Sequence, residues 1–406
     1  MKNGNVIVGQ SGGPTSVINS SLAGVYKAAV NNGAGAVYGM RHGVQGLLGG
    51  GCVDLADYIT SELDVELLRR TPASFLGSCR HKLPEITAGE DKYEKIFDNL
   101  KKLDIKYFFY IGGNDSMDTI KKLSDFAKQK NHDVVFMGVP KTIDNDLAVT
   151  DHTPGFGSAA KYIASSLKEL IRDSYAYDQR MATVVEIMGR NAGWLTASAA
   201  LSKTEDCDGP DLIFVPEIPF DLDTLVKKIE GCGKKSVVIA VSEGLKSADG
   251  QYVCELRSRV SYTDSFGHKA LSGTAQFLSD FLANETGCKT RSVEFSTLQR
   301  SAAHMASRTD NEEAFLTGGA AVRAAFNGET AKMIIMLRTS DDPYHVTAES
   351  CDIAQIANIE KKIPREWLDA DGTGVTKEFI TYCKPLIQGE INPVMVDGLP
   401  RHLRLI

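Results

Sequence analysis

Val134-Val135-Phe136-Met137-Gly138-Val139-Pro140-Lys141-Thr142-Ile143-Asp144-Asn145-Asp146 decides how this chain reads. The first six residues are apolar or glycine, without polar alternation, which predicts a strand covered on both faces in a parallel sheet. A loop follows at once that carries one cation, one hydroxyl and two carboxylates. In open α/β sheets the carboxyl ends of the strands are where ligands bind. The same design stands upstream, where Tyr107-Phe108-Phe109-Tyr110-Ile111 leads into Gly112-Gly113-Asn114-Asp115-Ser116. Two strand-end loops with glycines and carboxylates point to chemistry on phosphate groups held with a hard metal ion such as magnesium.

Working outward, further strand-like runs lie at 6–8, 183–187, 212–215, 237–241 and 333–337, and stretches with helical spacing at 16–31, 158–174 and 222–230. Repeated strand–helix units predict an α/β fold with largely parallel sheets. The chain has 406 residues, enough for two doubly wound domains. A net charge of −7 argues against a nucleic-acid partner. No run reaches the about 18 apolar residues that a membrane span needs. The N-terminal residues enter a strand without a signal-peptide layout, and the eight cysteines are scattered with no C-x-x-C pair. Reduced thiols in the cytoplasm fit that pattern better than a disulfide frame or a zinc site.

Other loops carry candidate groups. Gly9-Gln10-Ser11-Gly12-Gly13-Pro14-Thr15-Ser16 joins the first strand to a helix. Its glycines let backbone approach an anion, although a plain strand-to-helix turn has the same composition. Phe75-Leu76-Gly77-Ser78-Cys79-Arg80-His81-Lys82 offers Arg80 as a bidentate phosphate ligand or as part of a solvated basic turn. In the 142–146 loop, Asp144 and Asp146 sit at i, i+2 and share one side of an extended segment. Phosphoryl transfer needs a carboxylate to take a hydroxyl proton and a metal to bridge phosphate oxygens. An Asx-rich turn is the plain alternative for this loop and for 112–116. Met188-Gly189-Arg190 ends another strand, and Ser242-Glu243-Gly244 another. Glu243 can accept hydrogen bonds from sugar hydroxyls. Arg291 and Gln299-Arg300 add polar and cationic groups, whereas His268 and His304 have no partner spacing and read as ordinary polar histidines.

In this order the motifs Gly-Gly-Pro, Leu-Gly-Ser-x-Arg, Gly-Gly-x-x-Ser, Thr-Ile-Asp-Asn-Asp, Met-Gly-Arg, Glu-Gly and Arg-x7-Gln-Arg resemble the phosphofructokinase family over residues 5 to 340. Asp115, Lys141 and Asp-His-Thr-Pro-Gly-Phe-Gly at 151–157 resemble its pyrophosphate-dependent branch, where ATP-using members have glycine at the first two positions. The resemblance implies a phosphofructokinase-like fold, with 1–155 and 299–350 holding pyrophosphate and 156–298 and 351–406 holding sugar phosphate. It implies reversible phosphoryl transfer from pyrophosphate to the 1-hydroxyl of fructose 6-phosphate, with Mg2+ as cofactor. Asp144 would be the general base, with Lys141 and Arg190 beside it in catalysis. Gly12, Gly13, Arg80, Asp115 and Lys141 would surround pyrophosphate, and Asn114 and Asp146 would lie at the metal. Thr142, Met188, Gly189, Arg190, Glu243 and Arg300 would hold fructose 6-phosphate. Arg180 and Arg291 match arginines supplied by a neighbouring subunit, which implies a homo-oligomer with shared active sites. Two positions depart from the family pattern: Asn114 stands for an aspartate at the metal, and Thr297 for a histidine or tyrosine at the sugar phosphate. The tail beyond residue 350 reads as packing.

The choice of donor has a physical basis. An aspartate in place of glycine adds bulk and a negative charge where the α-phosphate and ribose of ATP would pass. A like-charge approach at about 4 Å costs about 4 kcal/mol at an effective dielectric near 20, enough to reject a donor. Lys141 adds a cation that pyrophosphate can use. An ATP-dependent phosphofructokinase is therefore the second reading, opposed by Asp115 and Lys141. A non-catalytic regulatory subunit that binds sugar phosphate is the third, opposed by the presence of Asp144.

Overall fold

Apolar runs that lack polar alternation have to be covered on both sides, and that requirement organises the chain. In the computed structural model, which describes residues 3–256 and 271–405, the strands in chain order are β1 Asn5–Gln10, β2 Val37–Met40, β3 Cys52–Asp54, β4 Ile105–Gly112, β5 Val135–Pro140, β6 Met181–Ile187, β7 Leu212–Phe214, β8 Ser236–Ser242, β9 Lys289–Glu294, β10 Lys332–Asp341 and β11 Tyr344–Asp352. A short antiparallel pair, Met395–Val396 with Leu399–Pro400, follows near the end.

The chain divides into two compact units, one of residues 1–158, 300–360 and 388–406, the other of residues 159–299 and 361–387. The first holds a seven-stranded sheet in the order β11-β10-β5-β4-β1-β2-β3. Its five central strands run parallel, while the edge strands β3 and β11 pair antiparallel. Alternate residues of one strand enter opposite cores: Ile7, Phe108, Tyr110 and Phe136 pack in one, and Val6, Val8, Phe109, Ile111, Met137 and Val139 in the other. Burial of each such side chain contributes about 1.5–3 kcal/mol, so the runs can be apolar at every position. The second unit holds four parallel strands in the order β7-β8-β6-β9.

Each strand-like run falls on a strand, with Val134 and Val215 one residue outside β5 and β7, whereas β2, β3, β9 and β11 carry no comparable signal. The run Lys289-Thr290-Arg291-Ser292-Val293-Glu294 is polar because β9 is a sheet edge with its two end residues exposed. The tail is packed in part: Leu403 and Leu405 join the apolar cluster of the first unit, and the Leu403 N–H donates to Thr71 Oγ1 at 2.9 Å. No helix among the described residues is long and apolar enough to cross a membrane.

On one face of the larger sheet the helices Ile18–Asn31 and Arg308–Phe326 approach closely through glycine. A Cβ on Gly24 would stand 2.1 Å from the Phe315 carbonyl oxygen, and one on Gly318 2.1 Å from that of Ser21. Backbone cannot step aside cheaply, so the extra methyl must push the helices apart. Gly24→Ala is expected to destabilise the protein by about 1–3 kcal/mol, although alanine is worth about 1 kcal/mol more than glycine in a helix. Gly231→Ala, at the open end of the helix Leu222–Gly231 where a Cβ meets nothing within 4 Å, serves as the control. Denaturant titration that ranks the two variants equally would remove glycine-dependent close packing as the reason.

Candidate active site

In the first unit β1, β4 and β5 are parallel neighbours, so the loops after them emerge at one sheet edge. The Ser11 N–H donates to the Ile111 carbonyl at 3.0 Å, and the Lys141 N–H to the Gly112 carbonyl at 3.0 Å. These bonds join the Gly12-Gly13 loop, the 112–116 loop and the 140–146 loop. They bring together Gly12, Gly13, Asn114, Asp115, Lys141, Thr142, Asp144 and Asp146.

Lys141 is 3 % exposed, and its ammonium donates to the carbonyls of Ser11 and Gly13, each at 2.7 Å. Burial pushes its pKa down to about 7; Asp144 and Asp146 pull it up, and Arg300 and Arg80 push it down. Gly12 has a φ of +76°, in the region that favours glycine, and a Cβ there would lie 3.3 Å from the Lys141 Nζ. A Cβ on Gly13 would lie 2.9 Å from Arg300 Nη1. Arg300, expected with the sugar phosphate, thus stands against the glycine loop of the first unit. Arg80 is exposed at the next loop, where the Ser78 Oγ donates to the Gly12 carbonyl at 2.6 Å and the Gly12 N–H to the Cys79 carbonyl at 3.1 Å.

The loop with the two aspartates is shaped by its own polar groups. The Asp144 N–H donates to Thr142 Oγ1 at 3.1 Å. Between the aspartates, Asn145 is fully buried at a φ of +55°, and its Oδ1 accepts the Thr153 N–H at 3.1 Å. Asn145 and Thr153 are the scaffold of the loop, and neither was singled out from the sequence. The position of Asn145 between two candidate carboxylates was the available signal.

Asn114 opens the helix Asn114–Lys130. Its Nδ2 donates to the Ile359 carbonyl at 3.0 Å, and its Oδ1 is buried without a hydrogen-bond partner. An orphaned buried oxygen is costly unless something external completes it. A hard cation is one such group. Among the described residues no group of three or more His, Cys, Asp or Glu is placed to hold a metal ion. Asn114 Oδ1 and the Asp146 carboxylate are oxygen donors of the kind that suits Mg2+, a cation that keeps waters and takes substrate phosphate oxygens rather than an all-protein cage. Asp115 lies in the first helical turn with the Lys82 ammonium 3.7 Å from its Oδ1. Lys82 stands in a loop noted for its cations, but its partner was not foreseen.

In the second unit β6 and β8 are parallel neighbours and lead directly into Met188-Gly189 and Glu243. The Gly189 N–H donates to Glu243 Oε1 at 3.4 Å and the Met188 N–H to Gln299 Oε1 at 3.3 Å. Gly189 has a φ of +137°, and a Cβ there would meet the Ala192 carbonyl at 2.6 Å. The Ser242 Oγ donates to the Gly189 carbonyl at 2.5 Å, which fixes the two strand ends to each other. Arg190 follows at once and is half-buried. Arg180 and Arg291 are not part of this cluster. Arg180 precedes β6 and is exposed at the opposite end of that strand, while Arg291, on β9, donates to Asp173 Oδ2 at 2.7 Å. His304 is exposed, and His268 lies outside the described residues.

The Phosphofructokinase family model matches residues 5–325. A pyrophosphate--fructose 6-phosphate 1-phosphotransferase of Halomonas elongata is 40% identical over 99% of this chain and 96% of that relative. The crystal structure of a pyrophosphate-dependent phosphofructokinase from Nitrosospira multiformis superposes with a TM-score of 0.89 at 36% identity, covering 98% of this chain and 96% of that one. One from Marinobacter aquaeolei gives 0.88 at 34%, covering 100% and 96%. With its two largely parallel sheets, its glycine and aspartate loops at the strand ends and these matches over nearly the whole length, the chain belongs to the phosphofructokinase family.

Proposed function

We propose that the chain transfers a phosphoryl group reversibly from pyrophosphate to the 1-hydroxyl of fructose 6-phosphate, giving fructose 1,6-bisphosphate and phosphate. The observation that carries this reading is the buried Lys141 ammonium seated on the carbonyls of Ser11 and Gly13. It fills space beside Gly12 where an ATP-using site needs room, and it supplies a cation to a compact inorganic donor.

The roles are those the family resemblance implies, and the grouping of these loops supports them. Gly12, Gly13, Arg80 and Lys141 hold pyrophosphate, with Asp115 at its margin. Asp144, on the turn closed by Thr142 Oγ1, takes the proton of the sugar 1-hydroxyl as it attacks. Thr142, Met188, Gly189, Arg190, Glu243 and Arg300 hold fructose 6-phosphate, and Arg190 balances charge on the transferring group. Asn114 and Asp146 hold Mg2+, which when bound neutralises phosphate charge. On the same reading Arg180 and Arg291, which lie off the Met188–Glu243 cluster, serve the sugar phosphate of a neighbouring copy in a homo-oligomer, the role that the family resemblance implies. The eight free cysteines support a reducing cytoplasmic location.

Three measurements test this. Purified protein with fructose 6-phosphate and magnesium is expected to turn over with pyrophosphate and not with ATP. Activity with ATP alone would favour the ATP-dependent reading, and activity with neither the regulatory subunit. Asp144→Ala is expected to abolish turnover while fructose 6-phosphate binding persists; near-normal turnover would take the base role from Asp144. Asp115→Gly with Lys141→Gly is expected to raise ATP use relative to pyrophosphate, and an unchanged donor ratio would refute the steric argument.

Lys141 also links binding to protons. With a pKa near 7 the side chain is protonated below that pH and largely neutral at pH 8. An adjacent phosphate favours the charged form and raises the pKa. Pyrophosphate binding at pH 8 should therefore take up more protons in the wild type than in Lys141→Met. Calorimetry in two buffers of different ionisation enthalpy reads this difference. Equal proton uptake in both proteins would show that Lys141 does not titrate on binding.

A further inference from the structure

The loop that bears Asp144 is not held by its own turn alone. Thr142 is bonded twice to the returning chain, its N–H donating to the Pro154 carbonyl at 3.2 Å and its carbonyl accepting the Thr153 Oγ1 hydroxyl at 2.9 Å. With the Asn145 Oδ1 bond from the Thr153 N–H, residues 153–154 form the template against which 142–146 is moulded. What then holds the template?

His152, the residue just before it, is 1 % exposed. Its Nδ1 lies 2.7 Å from Asp151 Oδ1 and its Nε2 2.7 Å from Glu313 Oε2. Glu313 belongs to the helix Arg308–Phe326 and accepts the Tyr344 hydroxyl at 2.6 Å on its other oxygen. Arg338 Nη2 donates to Asp151 Oδ1 at 2.9 Å, and its guanidinium lies 5.1 Å from the Tyr344 ring centroid. On the far side of the template, Asp310 of the same helix accepts the Gly155 N–H at 2.8 Å and the Ser158 N–H at 2.9 Å. Every charged group here belongs to the first unit, and none is assigned to substrate or metal.

A neutral imidazole has one N–H and one lone pair, so a ring with a carboxylate oxygen at hydrogen-bond distance from each nitrogen is an imidazolium. Burial alone would lower the His152 pKa, but the Glu313 and Asp151 carboxylates outweigh it and push it up to about 9. The cation joins the chain return to a helix and, through Asp151 and Arg338, to β10.

We propose that His152, clamped between Asp151 and Glu313, is a positioning residue that sets Asp144 for proton transfer through Thr153, Asn145 and Thr142. This rests on the proposed function for its kinetic consequence but not for its structural one. The residues that the clamp touches, Asp151, Glu313, Arg338 and Tyr344, are not among those assigned to pyrophosphate or sugar phosphate, so its loss should misplace the base while leaving the binding groups in place. A displacement of about 1 Å at a reacting group can cost on the order of 100-fold in rate.

The test compares Glu313→Ala with Glu313→Gln in the full chain, with folded fraction set by circular dichroism. Glu313→Ala is expected to lower kcat by about 10- to 100-fold, with KM for pyrophosphate and fructose 6-phosphate within about twofold. Glu313→Gln keeps an acceptor for His152 and a partner for Tyr344, and should recover most of kcat. In parallel, hydrogen–deuterium exchange should rise in residues 142–155 of Glu313→Ala and stay unchanged in β4. A kcat within about twofold of wild type, or unchanged exchange at 142–155, would overturn the proposal. Should Glu313→Ala not fold, His152→Leu, which keeps apolar bulk but can donate to neither carboxylate, is judged by the same two measurements. If the wild type turns over no pyrophosphate, the proposed function fails while the exchange comparison still decides whether the clamp holds the loop.

Discussion

A buried ammonium is the constraint around which the first unit's loops are arranged. Removing Lys141 from water is costly unless its protons are accepted, and the Ser11 and Gly13 carbonyls accept two of them. Dipoles compensate a full charge only in part, and the depressed pKa expresses the shortfall. The Asp144 and Asp146 carboxylates offset part of that cost, and on the proposed reading an anionic ligand offsets the rest, which favours a compact polyanion over a donor with a neutral sugar and base to accommodate.

The glycines of that loop are explained by the cations next to them. Gly12 leaves room for the Lys141 ammonium, and Gly13 for the Arg300 guanidinium. The carboxylates opposite are set by a different device, the buried amide of Asn145 between Asp144 and Asp146. One loop is thus kept open for charge and the other closed around an amide, and on the proposed reading the difference follows their work: the first approaches an anion, while the second holds a base still.

The parts of this arrangement that the sequence made legible are those governed by local pattern. Central strands show because coverage on both faces demands unbroken apolar runs, and the loops after them show because glycine and carboxylate interrupt those runs. Edges such as β9 and β11 are half-solvated and lose that signal. The neighbours of a loop are a matter of sheet order, which no local pattern encodes. Arg300 illustrates the point: grouped with the sugar residues by its motif, it stands against Gly13, far away in the chain. Asp310 and Glu313 sit in a helix of unremarkable pattern, and only the packing of that helix on the 151–158 segment gives them a role.

On the proposed reading, discrimination between donors has a charge component at Asp115 and a bulk component at Lys141. Asp115 and Lys82 face each other at 3.7 Å with side chains 30% and 52% exposed. An exposed ion pair of this kind is worth about 0–1 kcal/mol, and the same solvent screens repulsion between Asp115 and an approaching phosphate. The 4 kcal/mol Coulomb figure, taken at an effective dielectric near 20, is therefore an upper bound that Lys82 lowers further. Lys141 is subject to no such screening: it is buried, tied at two points and packed against Gly12. On the proposed reading, therefore, Lys141 rather than Asp115 carries the larger share of the exclusion of ATP, by occupying space rather than by charge.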